Sequence, residues 1–124
     1  MTNYRPDGWP SVIPRLATED PEALVTFIQQ VFNAQGEYQT NRPTELWIDQ
    51  SLIMVGNILE REASQSFLYV YVADTVEVYN RAIQAGAISI EAPALMPYGD
   101  RRAMFADVWG NHWQVATHIG FKAT

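Results

Sequence analysis

At 124 residues, 48% hydrophobic and 18% charged, the chain suits one domain with a sizeable core and is too apolar to be disordered. A net charge of −6 excludes nucleic acid, whose phosphates need a basic face, and leaves room for a neutral or cationic small molecule. The absence of cysteine removes disulfides, thiolate catalysis and zinc–sulfur sites, and neither a signal peptide nor a membrane span is read, so the expected location is cytoplasmic.

Residues 1–10, with Pro6, Gly8 and Pro10, read as a loose arm. A short strand is expected over 11–16. Asp20-Pro21-Glu22 is a helix start: a capping acid, a proline at the first helical position, then an acid at the positive end of the helix dipole. Leu24, Phe27, Ile28 and Val31 follow at helical spacing, and the helix should stop near Asn33. Three strands are expected at 36–39, 44–48 and 51–55, with Asp49-Gln50 as the hairpin turn between the last two. Residues 57–65 are polar and read as a linker.

The large side chains of 67–72 read as a strand. Asp74 caps a second helix carrying Val76, Val78, Tyr79, Ala82 and Ile83, which ends at Gly86. A strand at 88–90, a proline-bearing loop at 93–99, and strands at 102–107 and 112–117 complete the chain. Val108-Trp109-Gly110-Asn111 forms the turn between the last two.

The second half repeats the first. The capping acids Asp20 and Asp74 are 54 residues apart, and the helix-ending pairs Asn33-Ala34 and Gly86-Ala87 are 53 apart. The expectation is a single α+β domain, 1–124, made of two βαβββ modules at 11–56 and 66–118. A pseudo-twofold pair leaves a cleft between its copies, where small molecules bind.

Tyr98-Gly99-Asp100-Arg101, then Asp107 to Gln114 and Ala116-Thr117-His118, resemble the closing segment of glyoxalase-like and bleomycin-resistance-like proteins of the vicinal oxygen chelate superfamily. Leu68 to Val72 with Asp74, and Gln84-Ala85-Gly86-Ala87, fit the same branch, and the resemblance covers about residues 11–118. It implies a U-shaped mixed sheet around a cleft, helices on the outer face, and a homodimer. In the family's metalloenzymes four side chains, from the first and fourth strand of each module, hold a divalent ion. The matching positions are Ile13, Met54, Phe67 and Gln114, of which only Gln114 offers a hard donor. The resemblance therefore implies neither a metal nor another cofactor.

Side chains alternate across a strand, so if Phe67 faces the cleft, Tyr69 and Tyr71 do too. They form either a stacking wall for a ligand or a plug that fills the cleft. The same parity turns Arg15 inward, where it needs an anionic partner. Trp47 is a pocket wall or a dimer contact. Glu45 is a possible general base or a solvated edge carboxylate. His112, Gln114, Ala116 and His118 share a face, but His112 and His118 lie about 20 Å apart along a strand and cannot hold one metal. Tyr98 is placed at the rim, Arg101 and Arg102 in solvent, and Trp113 in the core.

The expected function is metal-free binding of a small apolar, planar or cationic organic ligand, as in antibiotic-sequestering relatives. The binding residues would be Arg15, Trp47, Met54, Phe67, Tyr69, Tyr71, Tyr98, His112 and Gln114, with no catalytic residue assigned. The alternative is a divalent-metal lyase, isomerase or dioxygenase of the glyoxalase type. Walker, dinucleotide-glycine and HExxH motifs are absent, and no serine has a triad context.

Overall fold

Asp20 accepts a hydrogen bond from the Ala23 amide at 3.2 Å, Pro21 opens the helix, and Asn33 ends it in the left-handed conformation at φ 56°. These residues set α1 (Pro21–Phe32), which buries Leu24, Val25, Phe27, Ile28, Val31 and Phe32 on one face. Asp74 caps α2 (Thr75–Gln84) in the same way through the Glu77 amide, and α2 buries Thr75, Val78 and Ala82. The computed structural model describes residues 4–57 and 65–120, so residues 58–64 of the expected linker lie outside it. No helix among the described residues is long and apolar enough to cross a membrane.

Contacts divide the chain into two units, Met1–Ser64 and Gln65–Thr124. The first holds β1 (Arg15–Thr18), α1, β2 (Thr44–Ile48) and β3 (Ser51–Asn57), in sheet order β1-β3-β2. The second holds β4 (Phe67–Tyr71), α2, β5 (Ile88–Leu95), β6 (Asp100–Ala106) and β7 (His112–His118), in order β4-β7-β6-β5. In each unit the first strand runs parallel to the last, and the last is antiparallel to the one before it. The protein is therefore α+β with two mixed sheets, each tracing the same path.

Several expected boundaries change, and five of the differences bear on the sheets' layout. β1 begins at Arg15 rather than at residue 11, leaving Ile13 outside the strand, although the Pro14 carbonyl accepts from the Met54 amide at 3.0 Å. Pro10 and Pro14 have no amide hydrogen to give a ladder, which delays the strand. Residues 36–39 are not a strand. Their place beside β2 is taken by a single bridge in which Gln35 and Trp47 exchange backbone hydrogen bonds of 2.9 and 2.8 Å. Gly36 follows at φ 133°, where a Cβ would collide with the Glu45 carbonyl oxygen, so the ladder ends there. β5 runs through the expected loop to Leu95. Pro93 falls within the register shift between Glu91 and Ala94 on an outer strand, where its missing donor breaks no ladder. β6 opens two residues early, at Asp100, and β7 extends to His118, which pairs with it.

The core of the second unit lies between α2 and the sheet face carrying Ala103, Phe105, Trp113 and Val115, all fully buried. Trp113 is thus a core residue, as its parity requires. Thr117 Oγ1 donates to the Val72 carbonyl at 2.8 Å and accepts from the Thr75 amide at 3.2 Å, which ties the start of α2 to β4 and β7.

Candidate functional site

Opposite α2, the second sheet presents a different face. Strand register aligns Phe67 with His112 and Ala106, Tyr69 with Gln114 and Met104, and Tyr71 with Ala116 and Arg102. One row further, His118 pairs with Asp100. Phe67 is 64% exposed and Tyr71 61%, so the aromatic side chains stand on an open surface. The Phe67 and His112 rings lie 6.1 Å apart and tilted, and the Tyr69 and Tyr71 rings 5.4 Å apart and edge-on.

Asp100 organises this face. It is 1% exposed, and a carboxylate so enclosed needs donors. Its Oδ2 accepts from Tyr69 at 2.6 Å and from Tyr71 at 2.8 Å, while Oδ1 meets His118 Nδ1 at 2.8 Å. The hydrogen bond from Tyr69, with those of His118 and Tyr71, holds the Asp100 carboxyl below the usual carboxylate range against the opposing effect of burial. Burial and the Asp100 hydrogen bond push the Tyr69 hydroxyl far above its ordinary value. The Asp100 hydrogen bond also raises the Tyr71 hydroxyl above its ordinary value.

These distances fix proton positions. Tyr69 spends its one proton on Asp100, so in its 3.2 Å contact with Tyr98 the Tyr98 hydroxyl donates. Arg102 donates in turn to the Tyr98 oxygen at 3.0 Å and grips Glu91 through two hydrogen bonds of 3.2 and 3.1 Å. Because the Asp100 carboxylate only accepts, His118 Nδ1 carries a proton. The result is a continuous chain, Glu91–Arg102–Tyr98–Tyr69–Asp100, with Tyr71 and His118 as branches.

Below Phe67 the sheet is anchored by a second carboxylate. Asp107, 3% exposed, accepts from the Trp109 and Asn111 amides on Oδ1 at 3.0 and 2.9 Å, and from Asn111 Nδ2 and Trp113 Nε1 on Oδ2 at 3.0 and 2.9 Å. Asn111 Oδ1 then takes the Ser66 amide at 3.1 Å, which sets the residue before Phe67.

Six of the expected binding residues, Phe67, Tyr69, Tyr71, Tyr98, His112 and Gln114, therefore lie on one side of the second sheet. The other three lie in the first unit, where Arg15 pairs with Met54 across β1 and β3 and Met54 pairs with Glu45 on β2. Trp47 lines a cavity of about 540 Å³ with Arg5, Trp9 and Pro10 of the N-terminal arm. Sequence reasoning passed over Asp100, Glu91 and the paired state of Arg102, and it gave His118 no role in the site. The signal was available: extending β6 to residue 100 and applying alternation puts Asp100 and Arg102 beside His118 and Tyr71. The two prolines at 93 and 97 hid it by suggesting a long loop.

The four positions that hold a metal in the family's enzymes do not fit an ion here. Ile13 and Phe67 have no donor atom, Met54 offers a soft thioether, and only Gln114 has a hard oxygen. Among the described residues no cluster of three or more His, Asp or Glu side chains could hold a metal ion.

No family model and no curated protein matches the sequence. Solved structures do. TioX from Micromonospora sp. ML1 shares 23% identity over 88% of this chain and 98% of its own, with a TM-score of 0.76. A glyoxalase/bleomycin resistance protein/dioxygenase family enzyme from Burkholderia phytofirmans PsJN shares 22% over 84% of this chain and 94% of its own, at 0.71. Lactoylglutathione lyase from Agrobacterium tumefaciens shares 16% over 87% and 94%, at 0.67. The fold is that of the vicinal oxygen chelate proteins. At these identities the likeness establishes the fold and leaves the activity to the residues.

Proposed function

We propose that the protein binds a small planar organic ligand with a cationic group, without a metal, and uses the aromatic face of β4, β7 and β6 to do so. The observation that carries this reading is the Asp100 cluster. A buried carboxylate held in its charged form beneath Tyr69 and Tyr71 adds negative potential to aromatic rings whose own faces attract cations. Phe67 and His112 extend the stacking surface, and Gln114 offers an amide for polar groups. The acidic balance of the chain favours the same ligand charge. A fold neighbour described as a glyoxalase/bleomycin resistance protein/dioxygenase family enzyme makes sequestration of an antibiotic one reasonable form of this activity. The proposal includes a homodimer, to which the outer strand β5, with Ile88, Ile90 and Leu95 exposed, is suited.

Calorimetric titration tests the reading with three probes: bleomycin, ethidium as a planar cation, and anilinonaphthalene sulfonate as a planar anion. The expected result is saturable binding of a cationic probe that persists in EDTA and weakens about tenfold or more in Phe67→Ala and Tyr71→Ala, as loss of an apolar contact predicts. Preference for the anion, or binding of the cations unaffected by both substitutions, overturns it. Light scattering reads the mass of the assembly.

A further inference from the structure

We propose a second binding site, for a small oxyanion, in the cavity of the first unit that Arg15 and Arg42 line. The cavity holds about 300 Å³ and is walled by Tyr38 to Pro43 on one side and by Val55 to Asn57 on the other. Among the described residues its lining contains two arginines and no aspartate or glutamate, in a chain whose net charge is −6. Among the described residues neither arginine forms an ion pair or a side-chain hydrogen bond, whereas Arg81 and Arg102 are both paired with glutamates.

The position of Arg42 is built into the fold. Thr44 Oγ1 accepts from the Gln39 amide at 2.9 Å and pins one end of the segment. The Pro43 ring lies against Gly56, where an added Cβ would sit in ordinary contact at 3.7 Å. Arg15 is fixed by its pairing with Met54 at the start of β1. Two guanidinium groups at one cavity, with no carboxylate among the described residues to neutralise them, match a ligand that brings its own negative oxygens. Their planar forks suit phosphate or carboxylate by two-point hydrogen bonding. The side chains of Gln39, Thr40 and Asn41 offer further neutral donors. Pro21, at the first turn of α1, also lines the cavity, but Asp20 already occupies that helix end, so the arginines and not the helix dipole supply the attraction. The volume admits a compact anion such as a phosphoryl group or a di- or tricarboxylate.

This site lies in the other unit from the aromatic face, so it stands or falls independently of that reading. The test is an amide-resolved NMR titration of the full chain with inorganic phosphate and, separately, citrate, at ionic strength held constant with sodium chloride. Saturable shifts centred on residues 38–43 and 56–57 are expected with at least one probe. Loss of one charge-assisted hydrogen bond predicts about tenfold weaker binding in Arg15→Gln and in Arg42→Gln. Arg81→Gln, which removes a paired surface charge in the second unit, should leave the titration unchanged. The same spectra report whether each variant is folded, and the exposed Arg42 keeps the test valid if Arg15→Gln is not. Shifts scattered over the surface, no saturation with either probe, or equal binding by Arg42→Gln overturns the site.

Discussion

Replacing Asp107 with asparagine changes one atom, yet the structure makes it costly. Oδ1 accepts three hydrogen bonds, from the Trp109 and Asn111 amides and, at 3.3 Å, from Asn111 Nδ2, and Oδ2 accepts two, from Asn111 Nδ2 and Trp113 Nε1. Asparagine must put an NH₂ group at one of these positions. Backbone amides and an indole N–H cannot turn into acceptors, and the Asn111 amide cannot flip without releasing the Ser66 amide from its oxygen. The less costly orientation puts the NH₂ at the Oδ2 position, where Asn111 Nδ2 keeps its contact with Oδ1 and the Trp113 Nε1 donor loses its Asp107 acceptor, at a site 3% exposed. At roughly 1–3 kcal/mol for a buried donor that loses its acceptor, the loss is about 2 kcal/mol, or roughly 8 °C in Tm for a chain of this size. Urea unfolding followed by circular dichroism measures it. Asp107→Ala, which removes both acceptor oxygens, should cost more than Asp107→Asn. An Asp107→Asn variant within about 1 kcal/mol of wild type would refute the reasoning, since it would mean that the turn relaxes to satisfy its donors. Because Asn111 holds the residue before Phe67, the same variant should also weaken ligand binding at the aromatic face.

Three further outcomes follow from the geometry. Asp100 has a lowered carboxyl pKa in the folded protein, so its stabilisation is present above the ordinary carboxylate value and is lost as pH falls through the lower folded one; Asp100→Asn should flatten the acid limb of a stability–pH curve. Tyr69 and Tyr71 have raised values, so their contribution is complete below the ordinary phenol value and is lost as pH rises above it; an ultraviolet titration should show two of the six tyrosines ionising late, and only one in Tyr69→Phe. Gly36→Ala should cost at least about 2 kcal/mol by denaturant unfolding, whereas Gly8→Ala, where an added Cβ meets nothing within 4 Å, should cost less.

Helices were the most legible part of the chain. An aspartate cap, an acid in the first turn and an apolar stripe all point one way at Asp20 and again at Asp74, and both helices form where those signals lie. The resemblance implied a mixed sheet, but the parallel pairing of β1 with β3 and of β4 with β7 was not read from either strand. Errors gathered where a local signal competed with the sheet. Pro93 and Pro97 argued for a loop, but an outer strand with shifted register tolerates Pro93, so β5 ran on and carried Glu91 into reach of Arg102. Alternation placed Phe67, Tyr69 and Tyr71 on one face, yet it could not reveal that two of their hydroxyls converge on one carboxylate. Asp100 is 29 residues or more from its tyrosines in the chain, and only strand register brings them together.

The tethering of Tyr69 and Tyr71 to Asp100 also bears on how quickly and at what entropic cost a ligand is caught. A free tyrosine on an open surface samples several rotamers and loses that freedom when a ligand stacks on it. Here the ring positions are set during folding, so the ligand proposed above would meet a wall already in place. Association then needs no rearrangement of the face, and differences in affinity among ligands should appear in how slowly they leave rather than in how fast they arrive.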